Sequence, residues 1–530
     1  MRKGILVLVI FSFLVFDGLG QIIFQKTYGG SGSDWGNSVV QADDGGYVIC
    51  GWTTSFGAGN SDVYVVKTNL SGDTLWTRTY GGASDDAAYS IQKTIDGCYI
   101  IVGHTNSFGA GGYDVYLLKI NSLGDTLWTR TYGGINNDYG NSVEQTTDTG
   151  YIISGQTQSY GDGASDVYLI KTDSIGLIKW TKTFGGTGNE YGNTVHQTTD
   201  GGYIVDGSTL SFGLAGSFDN YLVKTDSNGA LLWSRVFGGN GDENAGSVLQ
   251  TNDGNYLLAG ITNSFGSGSD DMYLIKTDSV GDTLWTKTYG GINNDEGYSS
   301  HITFDGGYII VGSTTTFGAG ASDMYLIKTN SNGDTLWTRT FGGTGLDVGY
   351  SVKQTTDSGF IILGITNSFG AGNYDMYLIK TDANGNTDCK QGTTNTLTIN
   401  PATIVSNPVT IVNSGGVVNS TATINGNGGI VSNPCTSGID EISDKYSVSI
   451  YPNPFSSKAI LSIQGAERRL IVSLQIYNVL GQEVKFIYFD SQKEVTINRD
   501  QLPSGMYFYK LISTNNETLG TGKILIIENR

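Results

Sequence analysis

Two acidic positions recur seven times along this 530-residue chain, at a spacing of 52 or 53 residues. The first holds Asp34, Asp86, Asp138, Glu190, Glu243, Asp295 and Asp347, and the second holds Asp62, Asp114, Asp166, Asp219, Asp271, Asp323 and Asp375. Paired carboxylates can bind calcium, act as a general acid and base, or accept hydrogen bonds from loop backbone donors. A hydroxyl that recurs at the same interval, from Ser38 to Ser351, is a further partner for them.

The acids belong to a repeat that also contains four short apolar runs. In the first copy these runs are NSVVQ (37–41), YVICGW (47–52), DVYVVKT (62–68) and DTLWTRTYGG (73–82). Each run is rich in Val, Ile, Tyr and Thr and is bounded by Gly, Asn or Asp, which is typical of strands joined by tight turns. Four strands per copy, in seven copies, predict an all-β fold: a seven-bladed β-propeller with four-stranded blades over residues 21–388.

The two ends of the array predict how the ring closes. Residues 22–30, IIFQKTYGG, match the Trp-bearing fourth strand that the seventh copy lacks. We therefore expect this N-terminal strand to complete the last blade, whereas an open stack of repeats would need capping units. All six prolines lie at position 401 or later, as expected if every backbone donor of the array is needed in a ladder.

In up-and-down blades, the loops before the first and third strands emerge on the same face, so we expect the two acids of each blade to be neighbours. Because all seven copies share them, we favour capping of loop donors and a bond to the repeated hydroxyl. Calcium binding is the alternative, with these ligands in the first three blades: Asp34, Asp62, Asp86, Asp114, Asp138 and Asp166. We expect no other cofactor, and no catalytic residue is assigned, because seven identical catalytic sites would be unusual.

A specific function is expected where the seven copies differ. The variable positions that carry aromatic candidates for ligand binding are Trp35, Trp52, Tyr113, Tyr139, Tyr191 and Tyr374. Aromatic rings beside carboxylates can stack on sugar rings while the carboxylates accept sugar hydroxyls. The hypothesis is a non-catalytic surface binding module for glycans. Ordinary loop packing, a polysaccharide-acting enzyme that uses top-face carboxylates, and a structural surface protein are the alternatives.

The histidines give no metal-ligand pattern, because His104, His196 and His301 lie far apart in the sequence. His196 and His301 share one first-strand position with Gln92 and Lys353, which we interpret as a solvated position. A basic residue follows the repeated Trp by two positions, and alternation along the strand predicts a cation–π contact between them.

Four cysteines do not form a disulfide framework. Cys50 and Cys98 are predicted to be free, buried thiols. Cys389 and Cys435 bracket one segment of an exported chain and are candidates for a disulfide.

The charge balance and the N-terminus indicate export. A net charge of −19, with no basic cluster, argues against a nucleic-acid partner. Residues 1–20 have basic Arg2 and Lys3, an apolar run and small residues before Gln21, which is typical of a signal peptide. No other segment qualifies as a membrane span, so none is expected in the mature chain.

Residues 389–440 are predicted to be a connector, because 391–439 contain no charged side chain and are rich in Thr, Val, Asn, Gly and Ser. An extended or weakly β stalk is the interpretation we favour. A small β module clipped by Cys389 and Cys435 is the alternative.

The last 90 residues, 441–530, alternate apolar and polar residues again, which predicts a small Ig-like β-sandwich. They contain YPNP at 451–454, YNVLGQEV at 477–484 and LPSGMY at 502–507, with a lysine near the end. This ordered set resembles the type IX secretion C-terminal sorting domain, type A, and its motif positions here include Pro452, Asn453, Pro454, Gly481, Gly505 and Lys523.

The resemblance implies partners and a location. It implies passage through the type IX secretion machinery, removal of the domain by a surface sortase, and residence outside the cell or on the outer-membrane surface. The preceding repeats resemble the glycine-rich propeller repeats found beside such domains.

Overall fold

The computed structural model describes residues 21–213, 216–389, 391–394, 396–399, 404–406, 411–413, 417–419, 424–426, 430–432, 447–464, 471–478, 482–490, 494–513 and 518–528. The regular elements in these ranges are all strands, and among these residues there is no helix of the length and apolarity needed to cross a membrane. The predicted signal peptide, residues 1–20, lies outside the described residues.

Residues 21–389 form seven blades of four antiparallel strands each. The innermost strands are β2 (Asp34–Gln41), β6 (Asp86–Lys93), β10 (Asp138–Gln145), β14 (Glu190–Gln197), β18 (Glu243–Gln250), β22 (Asp295–Ile302) and β26 (Asp347–Gln354). The second strands are β3 (Tyr47–Thr53), β7 (Tyr99–Thr105), β11 (Tyr151–Thr157), β15 (Tyr203–Thr209), β19 (Tyr256–Thr262), β23 (Tyr308–Thr314) and β27 (Phe360–Thr366). The third strands are β4 (Asp62–Thr68), β8 (Asp114–Ile120), β12 (Asp166–Thr172), β16 (Asp219–Thr225), β20 (Asp271–Thr277), β24 (Asp323–Thr329) and β28 (Asp375–Thr381). The fourth strands are β5 (Thr74–Gly81), β9 (Thr126–Gly133), β13 (Ile178–Gly185), β17 (Leu231–Gly238), β21 (Thr283–Gly290), β25 (Thr335–Phe341) and, for blade 7, β1 (Phe24–Gly29).

The ring closes as predicted. β1 pairs with β28 in antiparallel register, with Phe24 opposite Lys380 and Tyr28 opposite Met376. On the inner side, the Val39 amide of blade 1 donates to Ser351 Oγ of blade 7 at 3.4 Å. The first and last blades are therefore joined both in the outer ladder and at the centre, and the fold is a seven-bladed propeller.

Apolar clusters fill the spaces between successive blades. The third strand of each blade is buried along its whole length, because a neighbouring blade covers each face, and this explains its nearly continuous apolar run. Fourth-strand tyrosines also cross to the next blade: the Tyr80 hydroxyl donates to the Gly124 carbonyl at 2.6 Å, and Tyr132 makes the equivalent bond to Gly176 at 2.7 Å. Packing and hydrogen bonding thus hold each blade to the next.

The predicted cation–π contacts are confirmed for the four arginines of the outer strands. The Arg78 guanidinium lies 5.8 Å from the centre of the Trp76 ring, and Arg339 lies 5.2 Å from that of Trp337. These repeated contacts stabilise the blade edge.

The prediction of an extended stalk is wrong. Residues 391–432 contain seven very short strands, and each adds a fifth strand to the outer edge of one blade. They are β29 (Gln391–Gly392), β30 (Leu397–Ile399), β31 (Ile404–Ser406), β32 (Ile411–Asn413), β33 (Val417–Asn419), β34 (Ile424–Gly426) and β35 (Ile430–Ser432). They pair in order with the outer strands of blades 6, 5, 4, 3, 2, 1 and 7. We call this segment the belt, and it occupies hydrogen-bonding edges that the fourth strands would otherwise expose.

The cysteines differ in part from expectation. Cys50 is free and buried as predicted, but Cys98 is free and half-buried, because it lies in an exposed turn. Cys389 is disulfide-bonded. Its predicted partner, Cys435, lies outside the described residues.

Residues 436–530 form a separate compact unit with two sheets. Its strands are β36 (Ser447–Tyr451), β37 (Lys458–Gln464), β38 (Ile471–Tyr477), β39 (Glu483–Asp490), β40 (Glu494–Asn498), β41 (Gly505–Ser513) and β42 (Thr518–Ile526). The sheet orders are β36-β37-β40 and β39-β38-β41-β42. Leu461 and Ile497 from one sheet pack with Leu474, Leu511 and Ile524 from the other, so the predicted sandwich is confirmed.

Candidate functional site

The repeated acids form pairs, but the prediction that the two acids of one blade are neighbours is wrong. Each third-strand acid instead lies beside the first-strand acid of the next blade. A Cβ built on Gly81, the last residue of β5, would lie 2.2 Å from Asp62 Oδ1 and 2.6 Å from Asp86 Oδ2. The same arrangement holds at Gly29, between Asp375 and Asp34. The first glycine of the Gly-Gly pair therefore leaves the space that two carboxyl groups fill.

Loop donors occupy these carboxylates, which agrees with the capping interpretation. Asp34 Oδ2 accepts bonds from the Gly30 amide and the Ser55 hydroxyl, both at 2.7 Å, and its other oxygen accepts one from Thr53. Asp62 Oδ2 accepts bonds from two loop amides at 3.0 Å. All fourteen acids are between 0% and 2% exposed. This set includes the six predicted calcium ligands, so calcium binding there stays a prediction.

Burial also changes the acidity of these groups. Together with the charge of the adjacent acid, it raises the pKa of four third-strand acids to about 6; the four are Asp114, Asp166, Asp271 and Asp375. A carboxyl group of this kind is more easily protonated than a solvated one, because a buried charge loses its hydration.

The repeated first-strand hydroxyls do not bond to the acids as predicted. Ser38 Oγ accepts a bond from the Ile91 amide of the next blade at 3.3 Å, and Thr194 Oγ1 accepts one from Val248 at 2.9 Å. Bonds of this kind join neighbouring inner strands at six of the seven junctions around the centre of the ring.

The predicted aromatic residues gather near one mouth of the ring, and all six are half-buried. The Trp35 ring stacks on Trp52 of the same blade at 5.3 Å between centroids and on Tyr350 of blade 7 at 6.0 Å. Tyr374 lies 5.7 Å from Trp35, and Tyr298 of blade 6 lies 5.2 Å from Tyr350. One row of rings therefore crosses three blades.

A second group of rings belongs to blades 2 and 3. Tyr113 stacks on Tyr139 at 5.4 Å, and His104 lies edge-on to both, at 4.8 and 5.2 Å. Tyr89 lies 5.4 Å from His104, whose pKa burial lowers to about 4. Tyr191 forms a separate stack with Phe218 at 5.5 Å. We call these three groups the aromatic rim; of its members, sequence reasoning missed Tyr89, Tyr298 and Tyr350.

Inside the rim, the seven inner strands enclose a channel with a cavity of about 320 Å³. Three layers of side chains surround it, at the positions three, four and six residues after the repeated acid of the inner strand. The upper layer is Asn37, Tyr89, Asn141, Asn193, Gly246, Tyr298 and Tyr350, and the middle layer is the repeated hydroxyls. The position below the hydroxyls carries Val40, Gln92, Glu144, His196, Leu249, His301 and Lys353. We call this lower layer the charged ring.

The charged ring is not the solvated position that we predicted. Its polar members are half-buried because opposite blades face each other across a narrow channel. His196 Nδ1 lies 2.7 Å from Glu144 Oε2. Burial and the charge of Lys353 lower the pKa of His301 to about 4, and burial lowers that of Lys353.

Sequence reasoning also missed a sevenfold buried lysine. In the third strand of each blade, a lysine pairs with an aspartate of the turn between the first two strands; for example, Lys380 Nζ lies 2.9 Å from Asp357 and Lys67 lies 2.8 Å from Asp44. Both residue types recur at the repeat spacing, the lysine in Lys-Thr in six blades and the aspartate in Asp-Gly in five, and that recurrence is the signal that was available.

In the C-terminal unit, Asn453 ties the YPNP segment to the last strand. Its Nδ2 donates to the Lys523 carbonyl at 2.9 Å, and its Oδ1 accepts from the Leu525 amide at 2.8 Å. Pro452 and Pro454 flank it, and Gly505 begins β41. Gly481 lies outside the described residues.

Known proteins match two parts of the chain. Residues 449–528 match the family model described as the secretion system C-terminal sorting domain. The regulatory protein FlaEY of Caulobacter vibrioides is 29% identical over 227 residues, which is 38% of this chain and 24% of that protein. The chain therefore spans about a quarter of the length of this relative.

Two solved structures are extracellular domains from B. thetaiotaomicron. One belongs to a one component system, with a TM-score of 0.36, and the other to a hybrid two component system, with a TM-score of 0.35; each is 10% identical. The matches cover 93% and 94% of this chain and 56% of each of those chains. Together, the motif residues and the family match make residues 449–528 a type IX secretion C-terminal sorting domain, and the chain is exported to the cell surface or beyond.

Proposed function

We propose that the exported propeller is a non-catalytic binding module that holds carbohydrate on its aromatic rim. The observation that carries the proposal is the row of four rings, Trp52, Trp35, Tyr350 and Tyr298, across blades 1, 7 and 6. Such a row offers apolar ring edges and outer faces to a sugar, in a protein that is exported to where glycans occur. Trp35 already contacts rings on both sides, so Trp52 and Tyr374 are the members to which we assign stacking.

Acceptors for sugar hydroxyls lie beside the rings. Glu296 accepts a bond from the Tyr298 hydroxyl and another from Ser313 at 3.2 Å, and it is half-buried. The Tyr113 hydroxyl lies 3.5 Å from Asp85 Oδ2 in the second ring group. Rings next to carboxylates provide the two kinds of contact that sugar recognition needs.

The burial of the paired acids favours a non-catalytic role. With at most 2% of each acid exposed and loop amides bonded to the carboxylates, a substrate has no access to them. A glycosidase would need two carboxyl groups that flank an open bond-cleavage site. The enzyme alternative would be supported if the chain released products from a polysaccharide and an Asp→Asn change in one blade abolished that release.

Glycan-array binding by the mature chain tests the proposal. We expect Trp52→Ala and Tyr374→Ala each to weaken binding about tenfold, because a ring stack contributes about 0.5–1.5 kcal/mol beyond its buried area. Phe304→Ala is the matched control, since Phe304 is 69% exposed in a turn between a first and a second strand, at the far end of the strands from the rim. A folded chain that binds no glycan would contradict the proposal.

A further inference from the structure

The charged ring has two features that separate it from the rest of the repeat. Its neighbours along the inner strand vary less: five of the seven preceding residues are Val, and five of the seven following residues are Gln. The ring position itself carries a different side chain in nearly every blade, and six of the seven line the cavity. Blade construction therefore does not require any particular residue there, which leaves the position free for recognition.

The two charges in the ring, those of Glu144 and Lys353, do not form an ion pair with each other. Glu144 instead lies 2.7 Å from His196, and its charge acts on Lys353 from across the channel. Among the described residues, Lys353 has no ion pair and no hydrogen-bond acceptor within reach. The seven third-strand lysines behave differently, since each has an aspartate within 3.3 Å. A half-buried ammonium group without an anion is costly unless something supplies one.

The surroundings of Lys353 in the cavity are hydroxyls and an apolar wall. Ser351 is the hydroxyl layer of the same strand, and Val40 of blade 1 lies on the other side. His301, at the same position of the adjacent blade, is not among the residues that line the cavity. An ammonium beside hydroxyls suits an oxygen anion.

We infer that the channel of the propeller binds a small carboxylate-bearing molecule, whose carboxylate pairs with Lys353 of the charged ring. A single ammonium balances a single negative charge, and Glu144 across the channel disfavours a dianion such as phosphate. A cavity of about 320 Å³ is at the lower end of the range for small-molecule sites, so the ligand is small. This site uses other residues than the carbohydrate contacts proposed for Trp52 and Tyr374.

Calorimetric titration of the full-length chain with glucuronate, glucose and phosphate tests the inference. We expect glucuronate to bind, and glucose and phosphate to bind at least about tenfold more weakly, because a charge-assisted hydrogen bond contributes about 1.5–3 kcal/mol. Lys353→Met should weaken glucuronate binding by the same factor. Lys179→Met is the control, since this substitution removes the same charge from the outer strand of blade 3, away from the channel.

Each outcome decides the inference. Met removes an unpaired charge from a half-buried site, so we expect Lys353→Met to keep the wild-type melting temperature or raise it, and that measurement verifies folding. Equal binding of phosphate, or no binding of glucuronate, overturns the carboxylate site. A third outcome is that Trp52→Ala abolishes glucuronate binding and Lys353→Met leaves it intact. That outcome overturns the carboxylate site but agrees with the proposed carbohydrate function.

Discussion

Thr27 in β1 lies opposite Ser432 in β35, the last strand of the belt. On the other edge of β1, the same Thr27 lies opposite Tyr377 of blade 7. The strand that closes the propeller is thus itself enclosed, by the last blade on one side and by the end of the belt on the other. The same strand, β1, therefore closes the ring and pairs with the end of the belt.

Removal of the belt should destabilise the propeller and make it associate. A chain truncated after residue 388 exposes seven outer strands, whose free amides and carbonyls can pair with other molecules. We expect its melting temperature to fall by about 5 °C or more, because the belt forms many backbone hydrogen bonds of about 1 kcal/mol each. Differential scanning fluorimetry and light scattering measure both effects.

The control for truncation is a chain that ends at residue 435. It lacks only the separate C-terminal unit and keeps every belt strand. An unchanged melting temperature and a monomeric state after removal of the belt would show that the fifth strands do not contribute to stability.

The disulfide of Cys389 should fasten the belt. The Gln25 side chain of β1 donates to the Cys389 carbonyl, and β1 also pairs with β35, so Cys389, just before the belt, and the last belt strand lie beside the same strand. We therefore keep the prediction that Cys435 is the partner. A bond that closes a loop of about 46 residues contributes up to about 4 kcal/mol in the chain-entropy model.

Cys435→Ser and chemical reduction should lower the melting temperature alike, and reduction should have no further effect on the variant. Cys98→Ser is the control, because this half-buried thiol is free. A Cys435→Ser chain that remains as sensitive to reductant as the wild type would reject this pairing.

The buried lysine pairs should respond unequally to loss of either partner. The Lys380 side chain is 1% exposed and that of Asp357 is 39% exposed. We expect Asp357→Ala to lower the free energy of unfolding by about 3 kcal/mol, because it leaves a buried ammonium without its counter-ion, and Lys380→Met to lower it by less than about 1 kcal/mol. Urea unfolding measures both.

The pair of Arg235 with Asp282, at 3.6 Å, supplies the control for this comparison, because the Asp282 side chain is 71% exposed. Asp282→Ala should change the free energy of unfolding by less than about 1 kcal/mol, as is usual for surface pairs. Equal losses for Asp357→Ala and Lys380→Met would contradict the argument from burial.

Stability should rise as the pH falls from 8 to about 5. The four acids with a pKa of about 6 bind protons more readily when folded than when unfolded, where the value is 3.8. Between those values the folded state holds more protons, so acidification stabilises it. His104 and His301, with pKa values lowered to about 4, oppose this between 6.5 and 4 but are fewer.

Below about pH 4 the trend should reverse. Lysine-paired acids such as Asp96 and Asp253 have pKa values lowered to about 2, and their contribution is lost on protonation. Asp271→Asn mimics the protonated acid, so it should raise the melting temperature more at pH 8 than at pH 5. Asp305→Asn, which removes the charge beside Lys328, should lower the melting temperature at both pH values. A wild-type melting temperature that falls steadily from pH 8 to 5 would refute the carboxyl argument.

Calcium should have little effect if the carboxyl pairs act only as caps. Asp34 already accepts three hydrogen bonds from its own loops, so a cation would have to displace donors. We expect a chelator to leave the melting temperature unchanged. If calcium instead raised the melting temperature, and Asp271→Asn reduced that rise, the result would support the metal prediction for these pairs.

Some features could have been predicted and were not. The belt strands recur every six or seven residues, there are as many of them as blades, and six of the seven contain Val or Ile. That equality was the available signal, but a run of three residues has no preference for one partner. The acid pairs were misassigned because strand order within a blade was considered, whereas the Gly-Gly step brings the acid of the following blade closer.

The sequence by itself determined the number of blades, the four strands of each, the closing role of β1 and the sorting domain. These follow from local patterns, because hairpin turns, alternation and repeat spacing act over a few tens of residues. Only the tertiary structure decided the channel, the meeting of Glu144 with His196, the isolation of Lys353 and the course of the belt. They depend on contacts between residues that are distant in the chain, which ring geometry brings together and no local preference encodes.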